Sequence, residues 1–151
     1  MQKKNLVIYA GFIWCMAFAA LTFYWASGGM LGVRSLGGVI YEKALSGDEN
    51  FLSIVRLTGV VKMFGGFFLL LLLRDWPESM RKVLYYLSLA GGVCLFLYGL
   101  ANFTTLILDC FAVLNLELEE YSLKWRLLFW EPFWMLGGIL FILSAKGFRG
   151  K

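Results

Sequence analysis

The sequence contains no histidine. That absence removes a Ser-His-Asp triad, an HExxH zinc site, histidine-ligated haem and any histidine proton relay. Charge is scarce as well: 16% of the 151 residues are charged, against 60% hydrophobic and 18% aromatic. A soluble domain carries about 25% charged and about 45–50% apolar residues, so an ordinary soluble domain, and with it a soluble metal enzyme, is excluded. Cysteine is limited to Cys15, Cys94 and Cys110, with no CxxC pair. An odd, widely spread set supplies neither a disulfide framework nor a metal-ligand spacing. Cys15 and Cys94 fall inside apolar runs and read as small buried hydrophobes, whereas Cys110 lies near a membrane edge.

Long apolar runs are what the sequence does have. About 20 helical residues cross the hydrocarbon of a bilayer, and four windows reach that length: residues 6–25, 54–73, 83–108 and 127–145. The first and third carry no charge, the second holds Arg56 and Lys62, and the fourth holds Glu131 near its start. The third is long enough to tilt or fray. Lys3 and Lys4 followed by Ala17-Phe18-Ala19 mimic a secretory signal and its cleavage site. The apolar run nevertheless continues to Trp25, which favours an uncleaved anchor. The expected fold class is all-α, an integral membrane four-helix transmembrane bundle forming a single domain over residues 1–151.

Basic residues orient such a chain. Eight (Lys3, Lys4, Arg74, Arg81, Lys82, Lys146, Arg149, Lys151) fall on the side of the termini, and four (Arg34, Lys43, Lys124, Arg126) on the other. The positive-inside rule then puts both termini in the cytoplasm of a multi-pass cell-membrane protein, here a bacterial inner membrane. The cytoplasmic turn is short and contains Pro77, which suits a helix start. The outer loops are longer, and long loops on one face tend to carry the functional surface. The segment from Ser35 to Leu45 is expected to form a short interfacial helix. In the second outer loop, Leu114, Leu116 and Leu118 alternate with polar residues, as expected of a segment lying against the membrane surface.

Ionisable side chains within a span are costly and are functional candidates by default. At 1.5 Å per residue, Arg56, Glu131 and Lys62 lie about 3, 6 and 12 Å below the outer start of their spans. Asp109 closes the third span, and Tyr98, Asn102, Thr105 and Asp109 share one helical face. The expectation is a buried polar cluster in the outer half. In it Glu131 pairs with Lys62 or Arg56, Asp109 takes the other cation, and Trp25, Trp130 and Trp134 line the walls. Each tryptophan also fits an interfacial belt, and the ionisable groups also fit a purely structural network. On the first span Gly11, Cys15, Ala19, Thr22 and Ala26 form a face of small residues. Such a face, like Gly65-Gly66, Gly91-Gly92 and Gly137-Gly138, lets helices approach closely. Pro132 reads as a first-turn proline that also leaves a backbone carbonyl free near Glu131.

Two segments resemble a known family. Tyr24-Trp25-Ala26-Ser27-Gly28-Gly29, followed by Gly32, resembles the YWALGG-type motif of a small bacterial four-helix membrane family, domain-of-unknown-function family 3995. The stretch from Arg126 through Glu131-Pro132 to Gly137-Gly138 is similar to that family's closing motif, a charged residue shortly before a proline and then an apolar helix. The resemblance covers nearly the whole chain. It departs in Ser27, where leucine is usual, and in lacking a histidine that often precedes the tyrosine-tryptophan pair. It implies a fold and an outer placement of both motifs, and no activity.

The leading functional expectation is a binding protein. A membrane lipid or small amphipathic ligand would sit in a polar-lined site of the outer half, among Glu131, Lys62, Arg56, Asp109, Asn102, Tyr98, Thr105, Trp130, Trp134 and Trp25. The alternatives are an intramembrane enzyme using Glu131 or Asp109 as acid or base (an isomerase or lipid-modifying activity), a small oligomeric transporter, and an accessory or immunity subunit of a larger membrane protein. Partners are therefore lipid, and either further copies of the chain or a larger membrane protein. No cofactor is indicated. Glu117, Glu119 and Glu120, the one carboxylate run that suits a metal, read more simply as a solvated acidic stretch. The few basic residues at the membrane edge are explained by orientation rather than nucleic acid.

Overall fold

The computed structural model describes residues 2–149, with side chains from Asn5 onward; the side chains of Lys3, Lys4 and Lys151, used above for orientation, lie outside the described residues. Helix α1 spans Gln2–Ala26, α2 Gly38–Ser46, α3 Glu49–Leu71, α4 Glu78–Cys110, α5 Glu120–Trp125 and α6 Glu131–Arg149. A 3₁₀ turn, Val33–Ser35, precedes α2, and a π-helical turn, Arg126–Trp130, joins α5 to α6 without a break. No strand occurs among the described residues. Four helices are long and apolar enough to cross a membrane, namely α1, α3, α4 and the continuous Glu120–Arg149 helix. Three of them contain their expected spans and overrun them; α3 starts before its expected span but stops at Leu71, two residues short of its end.

Local chemistry explains the overrun. The Asp48 carboxylate accepts the Phe51 N–H at 2.9 Å, so α3 starts five residues before its apolar window; such a cap satisfies one of the orphan donors of a first turn. Pro77 precedes the first residue of α4, whose 33 residues give a helix about 50 Å long at 1.5 Å per residue. That is longer than the roughly 30 Å thickness of a bilayer's hydrocarbon core. The expected surface helix of the first loop forms as α2.

The spans alternate in direction and pack in the order α3, α1, α6, α4. The α1–α6 pair is central, and α3 and α4 flank it without packing extensively on each other. Small residues set the spacing. Gly11, Cys15, Ala19, Thr22 and Ala26 are all buried along α1. A Cβ on Gly66 would lie 3.0 Å from Cys15 Cβ. Between α4 and α6 the backbones themselves meet: a Cβ on Gly138 would lie 2.6 Å from the Gly92 carbonyl oxygen, and one on Gly92 2.8 Å from that of Gly138. Ser88 adds a hydrogen bond from its hydroxyl to the Phe141 carbonyl at 3.2 Å.

The core gathers Ile8, Trp14, Cys15 and Phe18 of α1 with Leu69, Leu84, Trp130, Phe141 and Phe148. Outward faces are apolar too, as in Ile54, Leu57, Val61 and Phe64 of α3, each more than 60% exposed. Helices apolar on all sides suit lipid rather than water. Cys15 is buried as expected, but Cys94 is exposed on the outward side of α4, because the α6-facing register is taken by Ser88, Gly92 and Gly99.

Candidate functional site

Lys62 lies near the middle of α3, and its ammonium is the cation that reaches the junction of three helices. Side chains on a helix lean toward its N-terminus, and Lys62 Nζ lies 3.4 Å from Thr58 Oγ1, one turn back, and 3.1 Å from Thr22 Oγ1 of α1. It stands 4.3 Å from the centroid of the Phe18 ring and 5.6 Å from that of Trp134. Thr22 is buried and its hydroxyl donates to the Phe18 carbonyl at 2.7 Å, which leaves the oxygen's lone pairs for the ammonium. Trp134 packs against Phe18 at 4.8 Å and against Tyr98 of α4 at 5.2 Å, both edge-on. Trp134 therefore lies beside both Lys62 and Tyr98. No carboxylate lies within ion-pair distance of Lys62 among the described residues.

Glu131 does not meet Lys62 or Arg56. Its carboxylate accepts from Arg126, at 2.8 Å from Nη2 and 3.0 Å from Nε, and the residue is buried. The π turn makes this pair. Residues five apart on an α-helix point about 140° from each other, but here the Glu131 N–H bonds to the Arg126 carbonyl and the widened turn brings both side chains to one face. Pro132 accounts for the location. It lacks the N–H that the Leu128 carbonyl would accept, and its ring would crowd that carbonyl in a regular helix.

The remaining candidates are partnered locally. Arg56 is exposed and donates to the Ala26 carbonyl at 3.4 Å, closing the end of α1. Asp109 accepts the Leu116 N–H at 2.9 Å and orders the turn after α4. Asn102 donates to the Tyr98 carbonyl at 2.9 Å and Thr105 to that of Ala101 at 2.9 Å, so the polar face of α4 bonds to its own helix rather than to a bundle network. Polar side chains within a span readily do this, since lipid offers no other acceptor.

The loop end is an aromatic cap. Trp25 packs on Trp130 at 5.5 Å and donates to the Leu31 carbonyl at 2.8 Å, while the Trp130 indole donates to Ser35 Oγ at 2.8 Å. The Ser122 hydroxyl donates to the Arg34 carbonyl at 2.8 Å, and Gly37, at φ 65°, lets the backbone pass so close to Ser122 that a Cβ would lie 2.5 Å from it. Arg34 bonds Glu119 through two nitrogens and stands over the Tyr121 ring at 5.2 Å. The hydrogen bond and charge of Arg34 hold Glu119 below its ordinary carboxylate range, and the same bond raises Arg34. A cleft of about 190 Å³ opens here between Gly32, Ser35, Tyr121, Trp125, Phe129 and Trp130.

The tyrosine-tryptophan-glycine motif ends α1. Gly29 N–H bonds to the Tyr24 carbonyl and Gly28 N–H to that of Trp25, each at 3.0 Å, the bond pair of a Schellman cap, with Gly28 at φ 90°. The Tyr24 ring covers Gly29 so closely that no Cβ fits there. Both resembling motifs therefore have a structural use, one as a helix cap and the other as the π turn. Residues 15–141 match the family described as "Protein of unknown function (DUF3995)". The chain belongs to this family. No curated protein and no solved structure matches it. The DUF3995 match takes in the α1 cap, Lys62 and the Arg126–Glu131 turn, and ends before the last turns of α6. Within this DUF3995 chain, Ser27 uses its hydroxyl to bond the Tyr24 carbonyl at 2.8 Å, a contact leucine lacks.

Sequence reasoning missed Arg126, Thr58 and Phe18. Thr58 stands four residues before Lys62 and was visible at helical spacing. Arg126 was not, because a separation of five has no meaning on a regular helix.

Proposed function

We propose that this chain is a multi-pass protein of the bacterial inner membrane, both termini cytoplasmic, that holds a lipid or small amphiphile with an anionic group against Lys62. The observation that carries this reading is the Lys62 ammonium set among Thr22, Thr58, Phe18 and Trp134 with no carboxylate beside it among the described residues. A cation within a span needs a partner. Hydroxyls and ring faces supply part of it, and an anionic group from lipid supplies the rest. The flanking positions of α3 and α4 favour lateral entry, with an acyl chain lying along apolar side chains and Trp134. Glu131, neutralised by Arg126, is a structural element of the outer half rather than the ligand's counter-charge.

The test is native mass spectrometry of the protein released from phosphatidylcholine nanodiscs loaded with oleate. Wild type should retain oleate, and Lys62→Met, which keeps the apolar stem, should lose at least tenfold of that retention while staying folded. Equal retention by Lys62→Met would refute the assignment.

A further inference from the structure

At the end opposite the aromatic cap, the first turns of α4 meet the last turns of α6. Antiparallel packing brings Arg81, Lys82, Tyr85 and Tyr86 of α4 beside Arg149 of α6 around a cleft of about 240 Å³. We propose that this cleft binds the phosphate of an anionic phospholipid headgroup.

A surplus of cations at one end orients a membrane chain whatever its shape. This end adds concavity and a division of labour. Lys82 is compensated by Glu78 at 2.8 Å, one helical turn away. Arg81 and Arg149, on different helices, have no carboxylate partner among the described residues. The Arg149 guanidinium rests over the Tyr85 ring at 5.3 Å, which fixes its plane, and Tyr85 meets Tyr86 edge-on at 5.0 Å. Neither tyrosine hydroxyl bonds another described residue, so both are available as donors. Two arginines and two tyrosines lining one space bring together the donor types that recognise a phosphate. The cleft lies where two helices long enough to span a bilayer end, the level of headgroups and of tyrosine belts. The choline group of a zwitterionic lipid would be repelled by the surplus cations, so the preference falls on net negative headgroups. The proposal is independent of Lys62, which belongs to the middle of α3.

The experiment measures lipid retained by the full chain from nanodiscs of mixed phosphatidylglycerol and phosphatidylcholine, read by native mass spectrometry. Wild type should be enriched in phosphatidylglycerol. Arg149→Gln, at the exposed last residue of α6, should lower the enrichment about fivefold, the usual weight of one cation near an anionic headgroup. Adding Arg81→Gln should bring it to parity. Lys146→Gln removes the same charge from the same helix end outside the cleft and should leave it unchanged. An equal fall in Lys146→Gln would reduce the effect to bulk charge and overturn the site. Enrichment surviving the double variant would do the same. Saturable binding of inorganic phosphate without lipid preference would assign the cleft to a soluble anion and overturn the lipid assignment.

Discussion

Arg126 and Lys62 both reach into the helical framework, and the protein treats them in opposite ways. Arg126 is closed off by Glu131, with its side chain 23% exposed and that of the acid 4%. Among the described residues, Lys62 is held by two threonine hydroxyls and two ring faces alone. The first arrangement completes itself and costs much to break; the second stays chemically open. The difference separates an internal brace from a binding candidate, although read from sequence alone Arg126 counts only among the basic residues of the outer side.

The sharpest way to break the comparison is to remove one half of the brace. Arg126→Met leaves a buried carboxylate without its cation, a change that costs about 3–5 kcal/mol. Arg126→Met combined with Glu131→Gln should recover most of that loss, because no charge is stranded. Unfolding of the three variants in mild detergent checks both statements, and a double variant no better than the single would show that the pair is not the brace described. The open cation should behave differently. Lys62→Met should leave unfolding stability within about 1 kcal/mol of wild type, since no partner charge is stranded; a loss as large as that of Arg126→Met would erase the distinction. Next in size is the aromatic lining. Trp134→Leu removes one ring face from Lys62, worth about 0.5–2 kcal/mol for a cation over a ring. It should weaken oleate retention less than Lys62→Met does, in the same mass-spectrometric assay. The smallest effect belongs to the exposed Arg34–Glu119 contact. Because Glu119 titrates below its ordinary 4.5 in the folded chain, the contact is complete above that pH and is lost as the pH falls through the lowered value. Amide exchange in residues 111–119 should accelerate there, and not in Glu119→Gln, which lacks the ionisable group.

Much of the framework was legible. Four apolar windows, the small face of α1 and the paired glycines each became what their spacing implied, because in lipid an apolar run of that length has few other folds open to it. The surface helix of the first loop was legible too. The ion pairs were not. Depth estimates placed Arg56, Lys62 and Glu131 in the same half of the bundle, but depth says nothing about azimuth, and Arg56 proved to face the end of α1. The polar face of α4 was read correctly as a face and wrongly as a network, since Asn102 and Thr105 satisfy themselves on their own helix. Cys94 failed for a related reason, because an apolar run surrounds both the inward and the lipid-facing side of a spanning helix. Of the expected grouping, Trp134 lies beside Lys62 and Tyr98, carried by side chains long enough to tolerate an error in helix rotation.

The π turn can also be read genetically. It holds one residue more than an α-helical turn, and that surplus is absorbed where it arises. The cap residues Tyr121 and Trp125 and the α4-facing residues Gly138 and Phe141 therefore keep the bearings they would have on an uninterrupted helix. Deleting one residue from 127–129 should leave both halves still aimed at their partners and would turn the Arg126–Glu131 spacing from five into four, where arginine and glutamate still meet, although Pro132 would then kink the tightened turn at a cost of about 3 kcal/mol. Inserting a second residue has no such outlet: it would swing the whole cap by about 100° around the axis of the last helix. Length variation at this turn should therefore be asymmetric, with losses tolerated better than gains.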